Sequence, residues 1–184
     1  MSHGAVASSQ IKRLVLGSCA KRPRNPLTSK LCLLLALACT VHAETVTGRV
    51  VGVADGDTIT VLDADKVQHK IRLAGIDAPE KKQAFGNRSK ESLSALAFDK
   101  TVAVETTKRD KYGRQIGKVL VDGRDVYLVQ VERGMAWFYR QYQREHSPND
   151  QRLYEAAEDA ARAGKRGLWR DADPVPPWEF RRNK

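Results

Sequence analysis

The sequence predicts a mainly β, α+β fold: a five-stranded OB-fold barrel with three helices. Alternating, β-branched segments come first, a short helical pattern follows the third of them, and two more strand patterns precede the clearest helices. An OB barrel with a helix between its third and fourth strands has its elements in this order. The length of 184 residues suits one compact domain.

The first three strands are expected at Thr45 to Val53, Thr58 to Leu62 and Val67 to Ala74, where apolar and polar residues alternate. Acidic turns, Asp55-Gly56-Asp57 and residues 63–66, separate them. Short turns between strands favour antiparallel neighbours, so the three strands are predicted to form a meander.

A short helix and two more strands follow. Leu93, Leu96 and Ala97 are spaced at i, i+3 and i+4, which predicts a helix. The strands are expected at Thr101 to Thr106 and Gln115 to Val121, and the second ends at an Asp-Gly turn.

Two helices are predicted after the barrel strands. Asp125 is a suitable N-cap for a helix that ends at Gly134. Ser147 and Pro148 begin the second helix as cap and first-turn proline. Its core-facing stripe is expected to consist of five apolar residues: Leu153, Ala156, Ala157, Ala160 and Ala161.

The chain divides into three regions. Residues 1–43 carry six basic and no acidic residues and include an apolar run from Leu31 to Thr40, which predicts a secretory signal peptide cleaved after Ala43. The apolar run is about half the roughly 20 residues that a membrane-spanning helix needs, so stable membrane insertion is not expected. Residues 44–170 form the predicted domain. Residues 171–184 contain three prolines and a basic end, and predict an extended basic tail.

Composition excludes several kinds of chemistry. All three cysteines, Cys19, Cys32 and Cys39, lie in the predicted signal peptide, so neither thiolate catalysis nor Cys-ligated zinc is expected in the domain. His69 and His146 are far apart in sequence, and each is predicted to be a single surface histidine. The region after residue 43 has 26 basic and 22 acidic residues, a mild excess that suits a polyanionic partner without requiring one.

Three short segments carry candidate functional residues. The first is Asp55-Gly56-Asp57-Thr58, the second runs from Arg72 to Glu80 and includes Asp77-Ala78-Pro79, and the third is Asp110-Lys111-Tyr112-Gly113-Arg114. Each segment alone is also consistent with a structural turn, a helix entry or a hairpin with a solvated arginine.

Taken together, the three segments resemble the signature of the staphylococcal nuclease (thermonuclease) family in order, residue type and approximate spacing. The resemblance extends from Thr45 through Gly167-Leu168-Trp169. It implies an OB-fold nuclease that hydrolyses phosphodiester bonds of DNA and RNA with calcium, leaving 3′-phosphate and 5′-hydroxyl ends.

The resemblance also implies roles for individual residues. Asp57, Asp77 and the backbone carbonyl of Ala78 match the family's calcium ligands, and Glu80 matches the residue that holds the attacking water. Arg72 and Arg114 match the arginines that grip the scissile phosphate. The substrate-binding positions are matched by Lys111 and Tyr112. Asp55 and Thr58 match positions that line the metal site.

The chemistry of these residue types agrees with the implied roles. Calcium prefers oxygen ligands, so two carboxylates, a carbonyl and several waters make a plausible shell. Planar guanidinium groups match the charge that develops on a phosphodiester under attack better than ammonium groups do. Glu80 suits a general base or a group that orients water, and the sequence leaves both roles open.

Residues around the expected cleft have two interpretations. Lys81, Lys82, Lys108 and Arg109 are candidates for tracking phosphates, and the aromatic residues Trp137, Tyr139 and Tyr142 are candidates for stacking on bases. Equally, the charges can form a solvated face and the aromatic rings can pack beneath the barrel.

Two rival functions remain at this stage. The first is a non-catalytic OB-fold module that binds single-stranded nucleic acid or a protein, and the second is a secreted scaffold stabilised by calcium. The presence of Asp57, Arg72, Asp77, Glu80 and Arg114 together favours the enzyme. A secreted or periplasmic monomer acting on DNA and RNA is therefore expected.

Overall fold

The computed structural model describes residues 44–183, so the predicted signal peptide lies outside the described residues. Five strands form a closed barrel: β1 (Glu44–Val53), β2 (Thr58–Asp63), β3 (Gln68–Leu73), β5 (Thr101–Arg109) and β6 (Gln115–Val121). Their order is β3-β2-β1-β5-β6, and β3 also pairs with β6. This arrangement confirms the predicted mainly β, OB-fold barrel.

Closure of the barrel depends on the pairing of β3 with β6. The neighbouring strand pairs β1–β2, β2–β3, β1–β5 and β5–β6 are antiparallel, whereas β3 and β6 run parallel. In that register Arg72 lies opposite Ile116, two residues after Arg114. Barrel closure therefore brings the second and third candidate segments together.

The barrel core consists of side chains on the inward faces of the strands, as alternation predicts. Val50, Ile59, Val61, Ile71 and Val104 are all inaccessible to solvent. Helix α1 (Gly86–Ala97) contributes Leu93 and Ala97 to the same core.

Helices α2 (Val126–Glu132) and α3 (Pro148–Ala163) begin at the predicted caps. The Asp125 carboxylate accepts hydrogen bonds from the backbone N–H groups of Tyr127 and Leu128, and Ser147 Oγ accepts from Asp150 N. Gly134, just after α2, has the left-handed φ of +65° that suits a helix C-terminus.

The predicted apolar stripe of α3 was wrong in part. The buried side chains are Tyr154, Ala157, Glu158 and Ala161, while Leu153, Ala156 and Ala160 are exposed. Glu158 is buried because its carboxylate accepts hydrogen bonds from Phe138 N at 3.0 Å and from Arg140 at 2.9 Å. A carboxylate with satisfied partners thus lies on the buried face of α3, which was expected to consist of apolar residues.

A second, two-stranded sheet lies beside the barrel. Strand β4 (Ile76–Asp77) pairs antiparallel with β8 (Trp137–Phe138), so Asp77 is opposite Trp137. Strand β7 (Arg124–Asp125) extends the barrel sheet from β6. A 3₁₀ helix (Arg140–Glu145) follows β8, and another (Gly167–Arg170) follows α3.

The tail differs from the predicted extended segment, because Pro177–Arg182 forms a helix, α4. Pro177 stands at the start of that helix, where its fixed φ and missing N–H are tolerated. The Trp178 ring stacks on Tyr139 with a centroid distance of 4.6 Å and an interplanar angle of 11°. Within residues 44–183, no helix is long and apolar enough to cross a membrane.

Candidate active site

Asp57 lies in the turn between β1 and β2, and its side chain is almost fully buried. Its Oδ1 accepts a hydrogen bond from Thr58 Oγ1 at 2.9 Å, and its Oδ2 accepts from Ala78 N at 3.1 Å. Leu73 N also donates to the Asp57 backbone carbonyl at 2.8 Å. These contacts hold the acidic turn against the end of β3 and against the segment that carries Ala78.

Asp77 lies in β4 and is 1% exposed. Burial raises the pKa of its carboxyl above the usual value, although hydrogen bonds from Arg181 act in the opposite direction. The raised pKa means that negative charge here is costly without a nearby cation.

Arg72, on β3, connects the two carboxylates. One of its terminal nitrogens lies 3.5 Å from Asp77 Oδ1 and 4.0 Å from Asp57 Oδ2, and the same nitrogen donates to the Ile76 carbonyl at 3.4 Å. The side chain is mostly buried. A buried guanidinium held in this way is positioned before any ligand arrives.

Asp55 adds a third acidic group to the same turn. Burial, and next the neighbouring charge of Asp57, raise the pKa of Asp55 to about 6. The direction of the shift follows from a carboxyl that is buried beside a second carboxylate.

Glu80 follows Pro79 at the rim of the cleft and is partly exposed. Its backbone N–H donates to Gln83 Oε1 at 3.0 Å, which holds the loop before α1. Its carboxylate is paired with Arg181 at 2.9 Å.

Arg114 is held by the hairpin that precedes β6. Its Nε donates to Asp110 Oδ2 at 2.7 Å, while Asp110 Oδ1 accepts from the backbone N–H groups of Tyr112 and Arg114. Gly113 adopts a φ of +78°, a conformation that favours glycine. One terminal nitrogen of Arg114 also lies 3.4 Å from Thr58 Oγ1, so Arg114 points toward the acidic turn.

Lys111 and Tyr112 form the exposed tip of the same hairpin. Tyr112 is 72% exposed. Lys111 Nζ lies 5.1 Å from the centre of the Tyr112 ring, and the Arg114 guanidinium lies 5.5 Å from the same ring centre. The tip therefore presents the Tyr112 ring and the positive charge of Lys111 to solvent.

A cleft of about 710 Å³ is lined by every residue predicted to be catalytic, metal-binding or substrate-binding, and by Asp55 but not Thr58. It is lined by Asp57, Arg72, Asp77, Ala78, Glu80, Lys111, Tyr112 and Arg114. Three segments that are separate in sequence thus meet in one place.

Some of the candidate residues around the cleft line it, as contact with nucleic acid would require, and others form a solvated face or pack in the interior. Lys108, Arg109, Tyr139 and Tyr142 line the cleft, whereas Lys81 and Lys82 are exposed and do not. The ring of Trp137 is buried against Trp169, at a centroid distance of 4.3 Å, so Trp137 packs beneath the surface.

His146 was wrongly predicted to lie on the surface. It is buried against the rings of Phe138 and Tyr154. His69 is partly buried and hydrogen-bonded to Asp63 at 2.7 Å. Neither histidine is among the residues that line the cleft.

Sequence reasoning missed Arg181, which lines the cleft from α4. It donates to Asp77 Oδ2 at 2.6 Å, to Asp77 Oδ1 at 3.2 Å and to Glu80 Oε1 at 2.9 Å. The only signal in the sequence was the basic end of the tail, which does not specify a partner 104 residues away.

The donor atoms in the cleft suit a hard divalent cation. Among residues 44–183, no group of three or more His, Cys, Asp or Glu side chains is arranged to hold a metal ion by itself. The carboxylates of Asp57 and Asp77, with the carbonyl of Ala78, offer oxygen atoms alone, and water would have to complete the shell.

Comparison with known proteins shows the family. A model described as staphylococcal nuclease homologue matches residues 70–171. An uncharacterized endonuclease of Escherichia coli is 48% identical over 138 residues, which are 74% of this chain and 86% of that protein. An uncharacterized endonuclease of Haemophilus influenzae is 39% identical over 161 residues, which are 88% of this chain and 87% of that protein.

A third relative carries a more specific name. A micrococcal nuclease of Shigella flexneri is 39% identical over 144 residues, which are 73% of this chain and 80% of that protein. The family model covers both Arg72 and Arg114, and the fold is the barrel that the family resemblance implied. The chain is therefore a nuclease and belongs to the staphylococcal nuclease family.

Proposed function

We propose that this nuclease requires calcium, hydrolyses both DNA and RNA, and leaves 3′-phosphate and 5′-hydroxyl ends. The main support is the position of Arg72 between Asp57 and Asp77, with Arg114 and Glu80 lining the same cleft. The name of one relative, micrococcal nuclease, supports the nuclease activity in this proposal.

Arg72 and Arg114 would bind the non-bridging oxygens of the scissile phosphate. Arg72 is held by Asp57 and Asp77, and Arg114 is held by Asp110, so neither has to reorganise when a phosphate binds. Their donors would act most strongly on the five-coordinate transition state, in which the phosphate oxygens carry the most charge.

Glu80 would accept a proton from the attacking water or orient that water. Its carboxylate is at the rim of the cleft and is reachable from solvent. Asp57, Asp77 and the Ala78 carbonyl would hold the calcium ion, which when bound adds positive charge beside the phosphate and lowers the pKa of bound water.

Lys111 and Tyr112 would bind a neighbouring nucleotide. Their exposed position at the hairpin tip leaves them free to contact substrate without rearranging the core. Lysine would supply attraction to a phosphate, and the tyrosine ring offers a surface for stacking that does not depend on base identity.

Cleavage assays test this proposal. The purified protein is incubated with denatured DNA, duplex DNA and RNA, in calcium or in chelator, and the product ends are identified by their susceptibility to phosphatase and kinase. Hydrolysis in calcium alone, with 3′-phosphate ends, is expected. Full activity in chelator would contradict the metal requirement, and binding without cleavage would indicate a non-catalytic OB module.

Export is a further part of the proposal. The signal peptide predicted at residues 1–43 would be removed after Ala43, where small residues precede the expected cut. N-terminal sequencing of the protein recovered from periplasm or medium should begin at Glu44. An exported protein with an intact N-terminus would contradict this part.

A further inference from the structure

We propose that the C-terminal helix α4 inhibits the enzyme from within the chain: Arg181 occupies the cation position of the site, and a metal ion has to displace it. This inference rests on the proposed function, because it concerns the same carboxylates. The residues involved are Asp77, Glu80, Trp178 and Arg181.

Arg181 binds the two carboxylates that the metal and the attacking water would need. Both Asp77 oxygens accept hydrogen bonds from it, at 2.6 and 3.2 Å, and Glu80 accepts a third at 2.9 Å. Each terminal nitrogen therefore faces an acidic oxygen, in the fork geometry that suits guanidinium. One side chain from the tail thus engages a proposed metal ligand and the proposed water-binding residue at once.

A calcium ion and this guanidinium compete for the same oxygens. Calcium lies roughly 2.3–2.6 Å from its oxygen ligands, so it would need the lone pairs of Asp77 that Arg181 now uses. Two positive charges within a few ångströms of each other also repel in a partly desolvated cleft. With Arg181 in place Asp77 is 1% exposed, so solvent has little access to its carboxylate while α4 is bound.

Contacts between rings hold α4 in place. Trp178 stacks on Tyr139 and meets Trp137 edge-on at 5.6 Å. Upstream of the helix, Gln83 Nε2 donates to the Val175 carbonyl at 2.6 Å. Because Trp137 pairs with Asp77 across the β4–β8 sheet, the tail is anchored directly beside the carboxylate that its arginine binds.

Two features of the tail nevertheless favour its dissociation from the cleft. Arg181 is 41% exposed at its side chain, so it can return to water without a large rearrangement. Helix α4 has six residues, too few to be stable without its packing contacts. When the tail is seated in about nine molecules of ten, the apparent affinity for calcium is about tenfold weaker than the affinity of the open site.

The chain contains a matched control for Arg181. Arg182, the next residue of α4, is more exposed at 72% and pairs with Glu179. Arg181→Gln and Arg182→Gln remove the same charge from neighbouring positions, so a general electrostatic effect would act on both. Trp178→Ala keeps both arginines but removes the stacking contact with Tyr139.

Calorimetric titration with calcium tests the inference without an activity assay. Arg181→Gln should bind calcium about tenfold more tightly than the wild type, and Trp178→Ala should shift in the same direction. Arg182→Gln should bind like the wild type. Equal affinities of wild type and Arg181→Gln, or equal shifts in both arginine variants, would overturn the inference.

Tryptophan emission reports whether the tail leaves. Calcium should shift the emission of the wild type to longer wavelength as Trp178 loses Tyr139, and the shift should be absent in Trp178→Phe. Calcium binding without this shift would overturn displacement while leaving the proposed metal site intact. If neither wild type nor Arg181→Gln binds calcium, the metal requirement itself fails, and the inference fails with it.

Discussion

Gly75 packs against His146 so closely that a Cβ atom on Gly75 would lie 1.9 Å from Nε2 of the imidazole. Gly75 also has a φ of +62°, and its backbone N–H and carbonyl are hydrogen-bonded to Glu145 and to Tyr139 N. The turn between Arg72 and Asp77 is therefore locked to the segment that follows β8.

Gly75→Ala should lower the free energy of unfolding by about 2–4 kcal/mol, because it combines a strained φ with a clash in a packed interior. Gly123→Ala is the control, since Gly123 has a φ of +74° but no heavy atom within 4 Å of the added methyl group. Urea unfolding of both variants separates the two effects. Equal losses would show that the contact with His146 yields at little cost.

Acid should destabilise the protein through His146. Burial lowers the pKa of this imidazole below its usual value of 6.5, so below pH 6.5 the unfolded chain binds more protons than the folded protein. Stability should then fall by up to about 1.4 kcal/mol per pH unit as the pH drops below 6.5, until the folded pKa is reached. Urea unfolding at pH 7.5, 6.0 and 5.0 measures the loss, which His146→Leu should reduce. An unchanged loss in that variant would contradict the assignment.

Arg114→Lys should lower kcat about a hundredfold or more and change KM little. The substitution keeps the charge but removes the planar fork that Asp110 orients, so it tests geometry separately from charge. Rates on denatured DNA in saturating calcium measure the effect, and circular dichroism checks the fold. Arg49→Lys, at an exposed pair with Asp99, is the control. A folded Arg114→Lys with near-native kcat would leave the catalytic assignment to Arg72 and the metal.

Lys111→Ala should raise KM several-fold with little change in kcat, and it should reduce the dependence of KM on salt. Lys111 lies at the exposed hairpin tip beside Tyr112, and its proposed role is attraction to a phosphate rather than transition-state geometry. Initial rates at several salt concentrations measure both quantities. Lys100→Ala, on an exposed residue outside the cleft, should match the wild type. A loss confined to kcat would contradict a binding role.

The barrel strands were predictable because alternation and turn residues are local signals. The observed and predicted strand bounds differ most at β5, which was predicted to end at Thr106 but ends at Arg109. Lys108 and Arg109 pair with residues of β6, and this pairing lengthens the strand. The order and spacing of the three motifs also indicated which segments belong to one candidate site, and the structure brings these segments into one cleft. Their distances and hydrogen bonds could not be predicted.

Features that depend on distant partners could not be predicted from sequence. Glu158 is buried because Arg140 and the Phe138 N–H satisfy it, and neither is marked by the periodicity of α3. His146 is buried by rings from two other elements. The tail was expected to be extended because of its prolines. It forms helix α4 instead, and Trp178 of that helix packs on Tyr139, a distant residue that the tail sequence does not indicate.

The parallel pairing of β3 with β6 has a consequence for the order in which the enzyme becomes active. It joins residues more than forty positions apart, and Arg72 and Arg114 share a cleft only after this pairing forms. Like the pairing of β1 with β5, this contact between distant parts of the chain carries a larger entropic cost of closure than a hairpin does. A chain with its antiparallel hairpins complete but its barrel still open would have Arg72 and Arg114, the two arginines proposed to bind the scissile phosphate, apart. The complete cleft would therefore exist only in chains whose barrel has closed.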